Sequence, residues 1–396
     1  MLNAYYDSRK YLKYKNQAFI RIMALVQPPN VFGTPKPFCQ LWFDGIEEPV
    51  TSMVDEYLVL YPHGWGLDGL EALPYLVTCK NPLISDGLKP TAVSLVECKC
   101  DTATNLFEVI YDMPENGDKG KKDLAICTKL FDYKDNKVVD FEGDKMLELV
   151  EWIESQLILG VDKIIVYIHD AVNQDTMKVL KFYEKQGSVD IELVTMPSDI
   201  EVLWKKKDSV VFNDCLYKNM YRYKLLMPLE VNEIIVPILP DHRTLLDYFN
   251  GLEVPGYIFK VFSFHKNFFF SINEHKEEVQ PEVPKSFYFL KQIYRAINQT
   301  KPSISLTSVL NPDYATAIYD HCVIRCFEDC EALDIPDEQG KLQRYIRNGC
   351  GDDFTEVECQ YLSQNTINDT SLWKNKNEIV ANVKKAVEDL KVFKEQ

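Results

Sequence analysis

The sequence is short of features that mark several common protein classes. Its 396 residues include 16 Gly and 6 His. No apolar run comes near the ~20 residues that a membrane-spanning helix needs. Residues 1–10 are polar and lack the apolar stretch of a signal peptide. We therefore expect a soluble chain, or the lumenal part of a protein whose membrane anchor lies outside this sequence.

Positive charge is also scarce. The chain has 44 Lys and Arg against 60 Asp and Glu, a formal net charge of −16. This excess of negative charge disfavours non-specific binding to polyanions, so we expect no nucleic-acid partner. Hydrophobic residues make up 46% of the chain and aromatic residues 12%. This composition excludes a mainly disordered chain.

Several catalytic motifs are missing from the sequence. No Gly-x-Gly-x-x-Gly or Gly-x4-Gly-Lys phosphate loop follows the first strand of the predicted α/β region, and no Gly-x-Ser-x-Gly elbow is present. These absences argue against a dinucleotide oxidoreductase, a P-loop NTPase and a serine hydrolase.

Eleven cysteines are too few for a disulfide-dense scaffold. Cys322, Cys326 and Cys330 follow His321 and superficially suggest a zinc site. Their spacing of four is also that of one helix face and differs from the tight pairs of structural zinc sites. The spacing therefore favours buried thiols or disulfides.

The N-terminal part is predicted to be β-rich. Apolar segments at 19–26, 39–43 and 92–98 are separated by turns rich in Pro and Gly, as in a small β-sandwich. The polar segment 115–123 then marks the best domain boundary. The sequence thus predicts a sandwich-like domain over residues 1–120 and a second domain over 121–396.

From residue 124 the pattern changes to alternating strands and helices. Strands are predicted at 124–130, 163–168 and 189–194, helices at 146–160 and 173–187, a further helix at 212–223 and an amphipathic C-terminal helix from residue 377. Strand-helix repetition of this kind predicts an α/β fold with a parallel sheet. Such sheets bind nucleotides beyond the carboxyl ends of their strands.

A short acidic segment, Glu230-Val231-Asn232-Glu233, lies between the apolar residues 225–229 and a strand at 234–237. Carboxylate and carbonyl oxygens at such a turn are ligands for a hard divalent cation. A solvated turn between two strands is the alternative.

Five blocks of the sequence, in this order and spacing, resemble glycosyltransferase family 92. They are 4–9 (Ala-Tyr-Tyr-Asp-Ser-Arg), 127–131 (Cys-Thr-Lys-Leu-Phe), 149–154 (Leu-Val-Glu-Trp-Ile-Glu), 159–163 (Leu-Gly-Val-Asp-Lys) and 213–217 (Asn-Asp-Cys-Leu-Tyr). The resemblance implies a catalytic domain of the GT-A type, a Rossmann-like nucleotide-diphospho-sugar transferase fold.

The resemblance also implies a function and its site. The expected reaction is inverting transfer of a sugar from a UDP-sugar, UDP-galactose in particular, to a glycan or glycoprotein acceptor with Mn²⁺. The implied donor-binding residues are Cys127, Thr128 and Asp214, and the implied metal ligands are Glu230, Asn232 and His321. No catalytic base is identified, and Glu233, Asp313, Asp320 and Asp334 are loosely placed candidates.

The resemblance further implies a compartment. The resemblance implies the secretory pathway, and within it the Golgi lumen, in which case Asn298 and Asn368 are acceptors for N-glycosylation. Any membrane attachment would depend on an anchor that this sequence does not contain.

Two motifs depart from the family pattern. Asn232 stands where the Asp-x-Asp motif has an acidic residue, which we expect to weaken the binding of Mn²⁺. Arg344 and Ile346 replace the outer residues of a His-Tyr-Arg element, of which Tyr345 remains. An alternative function is therefore a degenerate transferase that binds a glycan, a nucleotide or a protein partner without turnover.

Overall fold

A computed structural model of the chain describes residues 2–9, 17–26, 37–60, 73–113, 120–132, 137–138, 141, 145–169, 172–194, 204–252, 260–270, 283–297, 306–346 and 354–391. The chain forms two compact units. The first unit comprises Met1–Lys122, Met196–Lys224 and Asn311–Cys330, and the second comprises Asp123–Thr195, Leu225–Leu310 and Glu331–Gln396.

The described strands are β1 Asn3–Asp7, β2 Phe19–Val26, β3 Phe38–Trp42, β4 Val50–Val59, β5 Leu73–Lys80, β6 Ala92–Val96, β7 Phe107–Ile110, β8 Lys122–Lys129, β9 Phe131–Asp132, β10 Lys137–Val138, β11 Lys163–Ile168, β12 Val189–Leu193, β13 Tyr223–Pro228, β14 Glu233–Pro237, β15 Val261–Phe270, β16 Tyr294–Ala296, β17 Leu306–Leu310, β18 Ala315–Tyr319, β19 Cys322–Cys326, β20 Ala332–Ile335, β21 Gly340–Ile346 and β22 Thr366–Asn368. The described α-helices are α1 Lys145–Ile158, α2 Gln174–Lys185, α3 Trp204–Asn219, α4 Leu245–Gly251, α5 Glu356–Gln364 and α6 Lys376–Leu390.

In the first unit, seven of the described strands close a barrel in the order β1-β2-β5-β4-β3-β6-β7. The predicted strands are present, but they do not form the two layers of a sandwich. The barrel closes because β1 pairs antiparallel with β2 on one side and parallel with β7 on the other. The sequence does not reveal this last pairing, since it joins segments about a hundred residues apart.

A group of buried charges lies at one end of β1. Asp7 accepts hydrogen bonds from the guanidinium groups of Arg9 (Nε 2.8 Å) and Arg21 (Nε 3.1 Å). Burial raises the pKa of Asp7, but the two arginines outweigh that effect and hold it at about 2. The carboxylate is therefore ionised and paired inside the first unit.

The first unit includes two parts that follow the barrel in sequence, α3 and the β18-β19 hairpin. Asp214 of α3 accepts a hydrogen bond from the Tyr5 hydroxyl, and Arg9 donates to the carbonyl oxygen of Ala315 in β18. The first unit therefore differs from the predicted single segment, because long-range contacts bring later parts of the chain to it.

The second unit is built on a mixed sheet with the strand order β12-β11-β8-β13-β17-β15-β16-β22. β11 lies between β8 and β12 and is parallel to both, with Ile164 opposite Ile126 and Val189. The predicted α/β class and parallel strands are thus confirmed. Beyond β13 the sheet becomes mixed, because β17 runs antiparallel to its neighbours β13 and β15.

The predicted helices of this unit are confirmed to within a few residues. α1 is followed by Gly160 at φ 91°, a left-handed conformation that suits glycine after a helix end. Asn173 caps α2, since its side chain accepts a hydrogen bond from the N–H of Thr176. α6 buries Ile379 and Val383 in the main core of the second unit.

Disulfides link Cys39 to Cys79 and Cys326 to Cys330. The helix-face interpretation of the cysteine cluster is wrong, because Cys322 and Cys326 are the two ends of strand β19. The alternative that the cluster contains a disulfide is confirmed. Among the described helices, none has both the length and the apolar character required to cross a membrane.

Candidate functional site

The acidic turn of the second unit joins β13 to β14. Leu229 N–H donates to the carbonyl oxygen of Cys127 at the end of β8, and Glu233 N–H donates to the carbonyl oxygen of Glu230 at 2.9 Å. The turn is therefore tied to the carboxyl end of β8, a strand of the parallel part of the sheet. Ligands of α/β proteins bind at this edge.

Glu233, the last residue of this segment, is completely buried. Its Oε1 lies 2.8 Å from Nη1 of Arg344 and 3.1 Å from Nζ of Lys266. Its Oε2 accepts a hydrogen bond from the backbone N–H of Glu230 at 3.1 Å. Both carboxylate oxygens are therefore engaged by groups of the protein.

Helix α1 fixes the backbone of the same residue. Trp152 Nε1 and Gln156 Nε2 both donate to the carbonyl oxygen of Glu233, at 2.9 and 3.0 Å. The two donors are four residues apart and so share one face of the helix. This contact explains why the predicted helix has an indole and an amide on its buried side.

Glu151, the neighbour of Trp152, is also buried. Its carboxylate accepts hydrogen bonds from the backbone N–H groups of Tyr288, Phe289 and Leu290, at 2.6 to 3.2 Å. Burial raises the pKa of Glu151 to about 7, although the three N–H donors act in the opposite direction. α1 thus holds both the acidic turn and the segment 288–290.

Asn232 and Tyr345 are joined by two hydrogen bonds. Its Nδ2 donates to the carbonyl oxygen of Tyr345 at 3.0 Å, and the N–H of Tyr345 donates to the carbonyl oxygen of Asn232 at 2.9 Å. An aspartate could not make the first of these bonds, because a carboxylate has no N–H. The amide at this position therefore has a structural use.

Glu230 lies beside a cation. Its Oε1 is 3.4 Å from Nζ of Lys129, the last residue of β8. The Lys129 side chain is mostly buried, whereas that of Glu230 is 23% exposed. Sequence reasoning missed Lys129. A lysine at the carboxyl end of an apolar parallel strand, directly after Cys127-Thr128, is the signal that could have indicated it.

These contacts make the turn a poor fit to a divalent cation. Hard cations are held by several anionic or carbonyl oxygens. Here Glu230 faces Lys129, and Glu233 faces Arg344 and Lys266. A divalent ion would have to enter among three positive groups. Among the residues that the structure describes, no three His, Cys, Asp or Glu side chains form a group that could hold a metal ion.

The third predicted ligand, His321, belongs to the first unit. It lies in the turn between β18 and β19 at φ 67°, is 3% exposed, and packs its ring 4.9 Å from that of Phe212 on α3. The assignment of Mn²⁺ to Glu230, Asn232 and His321 stays a prediction.

The predicted donor-binding residues lie in both units. Cys127 and Thr128 are buried in β8, and Cys127 is disulfide-bonded. Thr128 Oγ1 has no hydrogen-bond partner within the described part of the chain. In the first unit, Asp214 accepts a hydrogen bond from Asn3 and pairs with Lys218 at 3.0 Å. The donor-binding role of these residues stays a prediction.

The loosely placed carboxylates have separate surroundings. Glu233 has both oxygens engaged, as described. Asp313 pairs with Lys121 at 2.6 Å in the first unit. Asp320 precedes His321 in the hairpin turn at φ 44°, and Asp334 lies in β20 of the second unit.

The chain matches the model of glycosyltransferase family 92 over residues 136–383. This range covers more than half of the chain and includes the acidic turn, α1 and β21. The chain therefore belongs to glycosyltransferase family 92, the family that its sequence blocks resemble. A search of curated proteins gives no significant match.

Two solved structures show weak similarity to this chain. A 4-diphosphocytidyl-2C-methyl-D-erythritol synthase from Anaerococcus prevotii is 11% identical, with 67% of this chain and 96% of that chain covered and a TM-score of 0.27. A ferredoxin-NADP⁺ reductase mutant from Plasmodium falciparum is 12% identical, with 57% and 85% covered and a TM-score of 0.14. Neither similarity is strong enough to carry an argument about this chain.

Proposed function

We propose that this protein transfers a hexose from a UDP-sugar donor to a glycan or glycoprotein acceptor. The observation that carries the proposal is the family match over residues 136–383, which includes the turn at the carboxyl end of β8. Galactose as the sugar, inversion at its anomeric carbon and a GT-A type of catalytic domain are parts of the same proposal. They come from the sequence resemblance.

The chemistry needs fixed positive charge near the leaving group. When the bond to the sugar breaks, the departing UDP gains negative charge, which the protein must stabilise more in the transition state than in the ground state. The turn between β13 and β14 is surrounded by cationic side chains. It is therefore the part of the second unit to which we assign the diphosphate.

The direct test is consumption of donor. Purified protein is incubated with UDP-galactose, UDP-glucose or UDP-N-acetylglucosamine and a panel of glycan acceptors, and released UDP is measured. We expect acceptor-dependent release from UDP-galactose, with a product anomer opposite to that of the donor by NMR. No release from any donor would contradict the proposal.

A variant pair ties that activity to the turn. Lys129→Gln removes a positive charge that faces Glu230 at the turn, and we expect about a tenfold or larger loss of kcat/KM, or more than about 1.4 kcal/mol. Lys384→Gln, on the exposed side of α6, makes the same chemical change and should keep full activity.

A second function is binding without turnover. The observation in its favour is that the carboxylate of Glu233 and the amide of Asn232 are both engaged within the protein. In that case UDP or a glycan would bind with measurable affinity, while UDP-galactose would stay intact in the presence of every acceptor. Calorimetric binding and the release assay together separate the two functions.

We also propose a location in the secretory pathway, in the Golgi lumen. The disulfide bonds of the protein are of a kind that persists in oxidising compartments. Asn368 lies exposed on β22, where a glycan could be attached, and Asn298 lies outside the described residues. Mass spectrometry of protein from its native source should find disulfide-bonded cysteines and a glycan at Asn368.

A further inference from the structure

The charged side chains around the turn come from three strands of the second unit. Lys129 ends β8, Lys266 lies in β15 and Arg344 lies in β21. β21 pairs with β14 on one side and with β15 on the other. The strand order itself therefore brings these cations to the carboxylates of the turn.

The two carboxylates are neutralised by these groups. Glu233 is completely buried and contacts two of the cations, at 2.8 and 3.1 Å, and Glu230 contacts the third at 3.4 Å. A buried carboxylate needs such partners, because an unpaired charge in the interior is very costly. If a divalent ion took the place of these cations beside the two carboxylates, the cations would lose their acidic partners.

Part of the cluster can be reached from solvent. The side chains of Arg344 and Glu230 are 19% and 23% exposed, whereas Glu233 is inaccessible. A guanidinium group offers five N–H donors in a planar arrangement that matches phosphate oxygens. The exposed side of the cluster therefore presents donors for an anion.

We infer that the turn holds the donor diphosphate without a divalent cation, and that Lys129 and Arg344 supply the positive charge that a metal ion would otherwise provide. The inference rests on the proposed function, since it concerns the same donor. In this arrangement Lys266 is a positioning residue, because it contacts Glu233 and is 5% exposed. The departing diphosphate would take its stabilising contacts from the protein, and no metal ion takes part.

The first experiment measures Mn²⁺ alone. The protein is titrated with Mn²⁺, and free Mn²⁺ is followed by its electron paramagnetic resonance signal. We expect no saturable binding that depends on the turn. Binding of Mn²⁺ that is lost in Glu230→Gln would overturn the inference, whatever the protein does with nucleotides.

The second experiment measures UDP by isothermal titration calorimetry, in EDTA and in Mn²⁺. We expect dissociation constants that agree within about threefold. UDP binding that occurs in Mn²⁺ and disappears in EDTA would overturn the inference and leave the proposed function standing. Failure of UDP to bind in either buffer would instead overturn the proposed function, together with the diphosphate part of the inference.

Variants assign the binding to the cluster. Lys129→Gln should weaken UDP binding in EDTA by about tenfold or more, and Lys129→Arg should restore most of it, since charge-assisted contacts to phosphate are strong. Lys384→Ala, on the exposed side of α6, serves as the control and should bind like the wild type. Unchanged binding in Lys129→Gln would contradict the assignment.

Discussion

Arg344 and Glu233 occupy directly paired positions of the antiparallel strands β21 and β14, and their side chains form an ion pair of 2.8 Å. Paired residues of an antiparallel ladder project to the same face of the sheet, so the register itself sets up the contact. Glu233 is completely buried, which makes this pair part of the interior. Arg344 is thus one of the cations that neutralise the acidic turn.

Loss of this ion pair should destabilise the protein. Arg344→Ala removes one of the cations that the described residues place beside the buried Glu233, and we expect a loss of about 3 kcal/mol in the free energy of unfolding. Arg325→Ala breaks an exposed pair with Glu56 in the first unit and should cost no more than about 1 kcal/mol. Urea unfolding followed by circular dichroism measures both. Equal losses of stability in the two variants would contradict the expectation that a buried ion pair contributes more than an exposed one.

Asn232→Asp should also destabilise the protein. A carboxylate cannot donate to the carbonyl oxygen of Tyr345 as the amide does at 3.0 Å. An unsatisfied partner of this kind costs about 1–3 kcal/mol. Asn377→Asp makes the same change at an exposed position in the first turn of α6, where a negative charge is favourable. A variant at 232 as stable as the wild type in urea would show that the amide contact is dispensable.

Glu151 should make stability fall as the pH rises. Its folded pKa of about 7 lies above the ordinary 4.5, so the folded state binds more protons between these values. Its stabilising contribution is present below pH 4.5 and is lost as the pH rises to about 7, by about 3 kcal/mol. Urea unfolding from pH 4.5 to 7.5 should show a difference between wild type and Glu151→Gln that changes with pH. A constant difference would contradict the raised pKa.

Asp7 should have the opposite effect in acid. Its folded pKa of about 2 lies below the ordinary 3.8. The stabilisation is therefore present above pH 3.8 and is lost as the pH falls towards 2, by about 2 kcal/mol. Asp7→Asn should remove this dependence of stability on pH. Asp175→Asn alters an exposed pair with Lys178 and should leave the pH dependence of stability unchanged. Acid unfolding curves of the three proteins provide the comparison.

Much of the fold follows from local pattern. The strand predicted at 163–168 coincides with β11, and the helix predicted at 146–160 corresponds to α1. Apolar periodicity and turn residues determine such elements locally. The barrel closure and the addition of α3 and the β18-β19 hairpin to the first unit are different, because they depend on pairings between distant segments.

The candidate site is likewise only partly predictable from the sequence. The turn at 230–233 could be located from its acidic residues between two apolar segments. The cations that surround it could not be identified in this way. Lys129, Lys266 and Arg344 come from strands far apart in the sequence, and only the order of those strands brings them together. From the sequence alone, this turn is interpreted as a weakened metal motif. The structure shows instead that its carboxylates are paired with cationic side chains of the protein.

The most direct measurement is a crystal structure of the protein grown with UDP in the presence of EDTA. We predict electron density for the diphosphate at the turn between β13 and β14, within hydrogen-bond distance of Lys129 or Arg344. Density for UDP elsewhere, or a UDP complex that forms only when Mn²⁺ is coordinated by Glu230, would contradict this account.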